Sequence, residues 1–339
     1  MHGLGRFLIV TGREKNASNS AWQGLPGGIY ADPNGMDRRE AFLPKLRMLA
    51  SYTTRLGRAF TGDALDVLRT LPADSVALVM TSPPFALRRK KAYGNVEPGE
   101  YVEWFWPFAE QIHRVLRPDG SFVMDLGGAW NRGSGTRSLF PYQLILRLSE
   151  LFFLAQDFYW FNPSRLPTPA EWVTIRRTRV KDAVNTLWWL SKTEEPQADN
   201  RRVLKPYSRS MKRLLKDGYQ PAMRPSQHEI GPHFRKDNGG AIPPNLLTVP
   251  NTRSYDAYFI QCRAAGLPIH PARFPTELPD FFIRFLTQPG QLVLDPFAGS
   301  NVTGQVAELL ERRWLSIEIN ADYVAGSRFR FPKAVVRAA

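Results

Sequence analysis

The stretch that decides the fold is L-V-L-D-P-F-A-G-S-N-V-T-G, residues 292–304. A short apolar run ends in an acid, and a glycine-bearing loop follows. A-E-L-L-E-R-R then continues as a helix, and W-L-S-I-E-I-N reads as the next strand. Strand, loop, helix, strand is the βαβ unit of a parallel sheet, whose ligands bind beyond the carboxyl ends of the strands. Gly299 and Gly304 let the backbone turn and approach a ligand closely. The free N–H groups of the new helix favour an anionic group there. Glu318 ends the second strand 23 residues after Asp295. That places it to accept the hydroxyls of a ribose. The spacing departs from the G-x-G-x-x-G dinucleotide pattern, so the expected ligand carries a ribose and a small anion.

Working outward, the pattern continues toward the N-terminus. V-A-L-V-M (76–80) is a buried strand that runs straight into T-S-P-P-F (81–85). Proline cannot donate to a sheet ladder, so the strand must end there. Upstream, T-G-D-A-L-D-V-L-R-T-L-P (61–72) enters a helix with Asp63 as N-cap. Downstream, residues 101–116 form an aromatic-rich helix that stops at the turn signal R-P-D-G, and S-F-V-M-D-L (121–126) is a strand ending in G-G. A helix around 140–151 and strands near 155–161 and 186–191 follow. P-D-F-F-I-R-F-L-T (279–287) is a helix. Alternating strands and helices argue an α/β fold, an open, mostly parallel sheet with helices on both faces.

The chain divides into an extension (1–51), a first half of the α/β domain (52–192), an insert (193–268), a second half (269–330) and a tail (331–339). The insert loses apolar periodicity. Its residues 201–240 carry ten Lys or Arg against three Asp or Glu, half of the chain's net +14. Such a concentration, interleaved with Tyr207, His228, Phe234, Asn238 and Asn245, suits a polyanion. Arg201, Arg202 and Lys205 are its first candidates. R-R-K-K, Arg88, Arg89, Lys90 and Lys91, lies beside the T-S-P-P-F loop and suits phosphate. The charge as a whole points to nucleic acid.

Cys262 is the one cysteine among 339 residues, which excludes a disulfide framework or a cysteine metal cluster and fits a reducing, cytoplasmic setting. Five histidines without H-E-x-x-H spacing give no expectation of a metal. No apolar run is long enough to span a membrane, and the first ten residues meet Arg13, Glu14 and Lys15 without a signal-peptide cleavage site.

T-S-P-P-F finds an explanation if the ligand is supposed to be S-adenosylmethionine and the methyl acceptor an exocyclic amine of a base. That nitrogen is a poor nucleophile, because its lone pair is delocalised into the ring. Acceptors aimed at its hydrogens hold the lone pair toward the methyl group. Ser82 offers a hydroxyl oxygen, Pro83 a carbonyl fixed by the Pro83–Pro84 backbone, and Phe85 a stacking face. The base must leave the duplex to be reached.

T-S-P-P-F with D-P-F-A-G-S-N-V-T-G resembles the amino-group DNA methyltransferases, and S-P-P resembles their cytosine-N4 members. The chain order is that of the β group, with the catalytic loop first, then target recognition, then the cofactor loop. S-P-P-F-A-L, K-D-A-V-N-T-x-W-W, D-N-G-G-x-I-P-P-N-L-L and H-P-A-R-F-P are similar to the PvuII-type modification methylases, over residues 52–330. The resemblance implies a seven-stranded-type methyltransferase sheet, double-stranded DNA as substrate, a companion restriction endonuclease, and C-A-G-C-T-G as the first site to try. It implies that Ser82, Pro83, Pro84 and Phe85 are catalytic. It implies that Asp295, Phe297, Gly299, Ser300 and Glu318 line the cofactor, with Phe274 of H-P-A-R-F-P, and that Asp63 reaches the adenine or simply caps its helix. Asp125 either orients the site or is a turn acid, Trp160 and Phe161 wall the base or lie in the core, and His270 is a structural hydrogen bonder rather than a base.

Four other readings compete. Adenine-N6 transfer normally places Asp or Asn where Ser82 stands. Cytosine-C5 transfer needs a nucleophilic cysteine, and Cys262 sits in what reads as an irregular insert. A catalytically silent DNA-binding module, or a methyltransferase for proteins or small molecules, leaves either the two loops or the basic insert unexplained.

Overall fold

The computed structural model describes residues 49–85, 96–131, 133–218, 236–252, 256–273, 275–332 and 334–336. All fall in the larger of the two units into which the chain divides, Pro44–Ala339. Residues 1–48, the run Arg88, Arg89, Lys90 and Lys91, His228, Phe234 and Phe274 lie outside the described residues.

In chain order the elements are β1 (Tyr52–Thr53), β2 (Gly57–Thr61), α1 (Ala64–Thr70), β3 (Val76–Thr81), α2 (Tyr101–Val115), β4 (Leu116–Leu126), α3 (Phe140–Leu148), β5 (Phe153–Phe161) and β6 (Val184–Ser191). Then come α4 (Arg209–Asp217), β7 (Leu246–Thr248), α5 (Ala257–Ala264), α6 (Glu277–Leu286), β8 (Leu292–Asp295), α7 (Val302–Leu309), β9 (Arg313–Glu318), α8 (Ala321–Ser327) and β10 (Val335–Val336). One sheet has the order β10-β1-β2-β9-β8-β3-β4-β6-β5-β7.

β2, β9, β8, β3 and β4 pair in parallel, and β6 runs antiparallel between β4 and β5. These seven strands are the expected sheet. Short strands β10 and β1 extend one edge and β7 the other. The alternation in the sequence suggested a mostly parallel sheet, without saying which strand would run the other way. The β5–β6 pair departs from it because an antiparallel neighbour needs no crossover helix.

All six residues of β3 are buried, as expected for a strand covered on both faces. On one face, Val123 of β4 joins a core with Phe282 and Phe285 of α6 and Val306 of α7. Its neighbour Phe122 points to the other face and meets Phe105 of α2 at 6.4 Å and Phe152 at 5.6 Å.

Two local expectations change. R-P-D-G does not separate α2 from the next strand. It sits inside β4 as an irregularity, with Val76 opposite Leu116 and Leu78 opposite Ser121. The end of the insert is not irregular either. β7 joins the sheet, and α5 buries Tyr258 and Cys262, with Cys262 Sγ 3.0 Å from where a Cβ on Gly326 of α8 would lie. By contrast α4, in the basic part, buries none of its residues.

β3, β4, β8 and β9 end at Thr81, Leu126, Asp295 and Glu318 along one edge of the sheet. β5 ends and β6 begins there too, which brings the loops of interest together.

Candidate active site

Ser82 leaves β3 beside β4. Its hydroxyl donates to Asp125 Oδ2 at 3.3 Å, and Asn185 Nδ2 of β6 donates to Asp125 Oδ1 at 3.1 Å. The first bond is long, as catalytic hydrogen bonds often are without substrate. Asp125 is 4% exposed. Burial pushes its carboxyl up to about 6, against the opposing pull of the Asn185 and Ser82 bonds. Asp125 is therefore a strand residue that faces the Ser82–Phe85 loop, not a turn acid. Phe85 lies over the glycines that end β4. A Cβ on Gly127 would come within 2.4 Å of its ring, so the missing side chain is what lets the ring settle there.

The second loop is fixed by Asp295. Its Oδ1 accepts from the Thr81 hydroxyl at 2.6 Å and from the Phe297 N–H at 3.2 Å, and its Oδ2 accepts from the Thr303 hydroxyl at 2.7 Å. Burial pushes this carboxyl up to about 6 as well. Gly299 adopts φ +52°, and a Cβ there would sit 2.9 Å from the His270 ring. The Gly299 N–H donates to Glu318 Oε2 and the Asn320 N–H to Oε1, both at 2.9 Å. Beside the backbone N–H groups of Asn320, Gly299 and Ile319, the Glu318 carboxylate keeps acceptor capacity for a ligand hydroxyl. Burial raises the Glu318 pKa. Ser300 is held from behind, its carbonyl accepting from Arg330 Nε at 2.6 Å.

Asp63 does cap α1, accepting from the Leu65 N–H at 2.7 Å. It also borders the space between the loops. His270 behaves as a structural hydrogen bonder. Its backbone N–H donates to the Tyr258 hydroxyl at 3.0 Å, its Nδ1 pairs with the Ala272 carbonyl, and its ring meets Tyr323 edge-on at 4.6 Å.

These groups meet in one cavity of about 660 Å³. Ser82, Pro83, Pro84 and Phe85 line one part, and Asp63, Asp295, Phe297, Gly299, Ser300 and Glu318 another. Trp160 lines it too, its indole N–H donating to the Val249 carbonyl at 2.8 Å, whereas Phe161 does not. The sequence reading missed Asn185, Arg165, Arg273, Trp104 and Phe108, all on the wall. Trp104 and Phe108 stand four apart on α2 and meet the Phe297 ring at 6.1 and 5.1 Å. Their spacing was the available signal. The volume is in the range of small-molecule sites. Arg273 Nε is buried without a hydrogen-bond partner among the described residues.

The insert residues lie elsewhere. Arg201 is exposed and paired with Asp199 at 2.8 and 2.9 Å. Lys205 is exposed, its backbone bridging to Ala241. Arg202 is half-buried and donates to the Thr287 carbonyl, just past α6, at 2.6 Å. None of the three lines the cavity.

A family model described as DNA methylase, of the N6 and N4 methyltransferases, matches residues 76–328. The Type II methyltransferase M.PvuII of Proteus hauseri is 54% identical over 286 residues, covering 83% of this chain and 85% of that protein. The DNA adenine methyltransferase YhdJ of Escherichia coli (strain K12) is 26% identical over 272 residues, 78% of each chain. Among solved structures, the cytosine-N4-specific PvuII DNA methyltransferase superposes with a TM-score of 0.69 at 47% identity, over 84% of this chain and 90% of that one. A Thermus thermophilus protein described as a DNA modification methylase, complexed with S-adenosyl-L-methionine, shares the fold. Its TM-score is 0.51 at 21% identity, over 82% of this chain and 95% of its own.

Proposed function

Because this chain belongs to the DNA methylase family, we infer that it is a site-specific DNA methyltransferase that modifies the exocyclic N4 amine of a cytosine turned out of duplex DNA. The observation that carries this reading is the shared cavity of the Ser82–Phe85 and Asp295–Ser300 loops.

Bound in that cavity, S-adenosylmethionine supplies a methyl group already activated on a sulfonium. Glu318 has acceptor capacity left for a ribose hydroxyl, and Asp63 stands at the rim for the adenine. Arg273, its guanidinium 3.9 Å from the Phe259 ring centroid, is on the cavity wall and offers a positive charge for a carboxylate. Phe297, backed by Trp104 and Phe108, presents an aromatic wall.

On the acceptor side, Ser82 donates its own proton to Asp125. Its oxygen lone pairs are then free to accept an amine hydrogen. Asn185 holds the far carboxylate oxygen, so the carboxylate cannot turn away. The Pro83 carbonyl, on a backbone stiffened by Pro84, accepts a second amine hydrogen. Phe85 and Trp160 provide apolar surface for the extruded ring. These residues align the amine and need not remove its proton before transfer, so the chemistry rests on orientation and electrostatics.

A second reading, N6 transfer to adenine, draws on the same family and on the adenine enzyme among the relatives. Ser82 in place of Asp or Asn favours cytosine. The exposed basic insert with Arg201 and Lys205, and the run Arg88, Arg89, Lys90 and Lys91, grip the duplex. The enzyme acts in the cytoplasm and protects host DNA from a companion endonuclease that cuts the same site. The first site to test is C-A-G-C-T-G. Labelled methyl should pass from the donor to a duplex carrying that hexamer and not to a scrambled duplex of the same composition. Equal labelling of both contradicts the site, and labelling of neither contradicts the activity on it.

A further inference from the structure

The segment between β5 and β6 was absorbed by neither the recognition insert nor the catalytic loops. Residues 163–182 carry Arg165, Arg176, Arg177, Arg179 and Lys181 against Glu171 and Asp182. The segment leaves and rejoins the sheet at the cavity edge, between Trp160 and Asn185, both on the cavity wall.

Most of its cations build the segment itself. Arg179 Nη1 donates to the Gly135 carbonyl at 2.6 Å, and its guanidinium lies 4.4 Å from the Trp130 ring centroid. Arg176 pairs with Glu171 at 2.7 Å and stacks on Trp172 at 4.4 Å. Lys181 Nζ donates to the carbonyls of Pro163 and Arg165 at 3.3 and 3.1 Å. Asn162, at its root, accepts from the Ser164 N–H at 3.1 Å. The result is an anchored segment rather than a free loop.

Two guanidinium groups make no hydrogen bond within the segment, and the charge of one of them, Arg165, also acts on the Asp125 carboxyl, pulling its pKa down. Arg165 reaches the cavity wall. Arg177 is exposed, makes no hydrogen bond or ion pair among the described residues, and sits at φ +54°. That backbone region favours glycine or asparagine, and a long side chain held there has a conformational cost. A strained backbone that nonetheless presents a cation without a partner among the described residues points to a task outside the fold.

We propose that residues 163–182 form a second DNA-backbone clamp, separate from the basic insert, in which Arg165 at the cavity mouth and Arg177 on the anchored segment contact phosphates flanking the extruded nucleotide. The clamp rests on the DNA methyltransferase reading. Because the segment is already ordered, its contacts cost little conformational entropy on binding. They position the duplex and carry no base preference.

The test is equilibrium binding of the full chain to a duplex over a range of salt concentrations, with S-adenosylhomocysteine present. Arg177→Gln and the double variant Arg165→Gln with Arg177→Gln should lower the log–log salt slope by about 0.9 for each phosphate no longer neutralised. Arg177→Lys should retain most of it. Arg177→Gly should weaken DNA binding without lowering Tm, since glycine accepts that φ. A purely structural Arg177 would instead lower Tm and leave the slope alone. Affinity for S-adenosylhomocysteine without DNA should be unchanged in Arg177→Gln. An unchanged salt slope in the double variant overturns the clamp. A wild-type chain that fails to bind duplex DNA overturns the functional reading with it.

Discussion

The Thr81 hydroxyl donates to Asp295 Oδ1 at 2.6 Å, joining residues 214 apart in sequence. One is the last residue of β3 before the Ser82–Phe85 loop, and the other is the last of β8 before the glycine-bearing 296–301 loop. Their strands are hydrogen-bonded neighbours through Leu78–Val293 and Val79–Leu294. The two halves of the site are therefore held in register by a buried hydrogen bond at the strand ends. Thr81→Val keeps the shape and removes the donor. It should cost about 1–3 kcal/mol of stability, because a buried carboxylate loses a partner. It should also weaken donor binding and turnover together. Thr81→Ser should restore both. Calorimetry with S-adenosylhomocysteine and a denaturation curve measure the two effects.

Ser82→Ala tests the other loop. The hydroxyl that faces Asp125 is lost, while the cofactor wall is untouched. Turnover should fall on the order of a hundredfold, the scale of one misplaced transition-state acceptor or donor. Affinity for the methyl donor should stay within about twofold by the same reasoning. Equal loss of both would assign Ser82 a structural role.

Asp125 gives a pH prediction. Its carboxyl is held at about 6 in the folded protein, against an ordinary value of 3.8. The folded state keeps this proton more tightly than the unfolded chain, so the contribution to stability falls as pH rises from about 4 to about 6 and is flat above. The loss is on the order of 3 kcal/mol at most, at about 1.4 kcal/mol for each tenfold change in proton affinity. Asp125→Asn removes it, so the variant's stability relative to the wild type should rise across that window. Wild-type turnover should rise through about pH 6, as the carboxylate becomes able to accept from Ser82, and the variant should lack that limb. A pH-independent stability difference would mean that Asp125 is ionised like an ordinary surface acid.

Gly127→Ala should act on one ring. The added Cβ would come within 2.4 Å of the Phe85 side chain, which must then move off β4. Turnover should drop with donor affinity unchanged. Fluorescence of 2-aminopurine at the target position would report whether the extruded base loses its stacking face.

How much of this was legible depends on where each signal sits. T-S-P-P-F, D-P-F-A-G and Glu318 were readable because they end hydrophobic strands, and proline or glycine punctuates the first two. Asp63 as a cap was readable from its position at the start of a helix. Asn185 was not, because its partner Asp125 lies 60 residues away on a neighbouring strand. Only the antiparallel β4–β6 register brings them together. The i, i+4 spacing of Trp104 and Phe108 marks one face of the aromatic-rich helix, but nothing local says that this face borders a cavity. α5 looked irregular because its buried pair, Tyr258 and Cys262, makes only one narrow stripe. Composition placed Arg202 with Arg201 and Lys205, yet tertiary packing turns it inward to Thr287. Its replacement by Ala should accordingly cost stability, whereas the same change at Arg201 or Lys205 should alter only the salt dependence of DNA binding.

The central claim concerns which atom receives the methyl group. Isotopically labelled methyl from S-adenosylmethionine would be transferred to duplex DNA, the DNA digested, and the nucleosides separated. With Ser82 held by Asp125 as the amine acceptor, label should appear in N4-methylcytosine. Label in N6-methyladenine would keep the fold and the donor site but contradict the cytosine assignment.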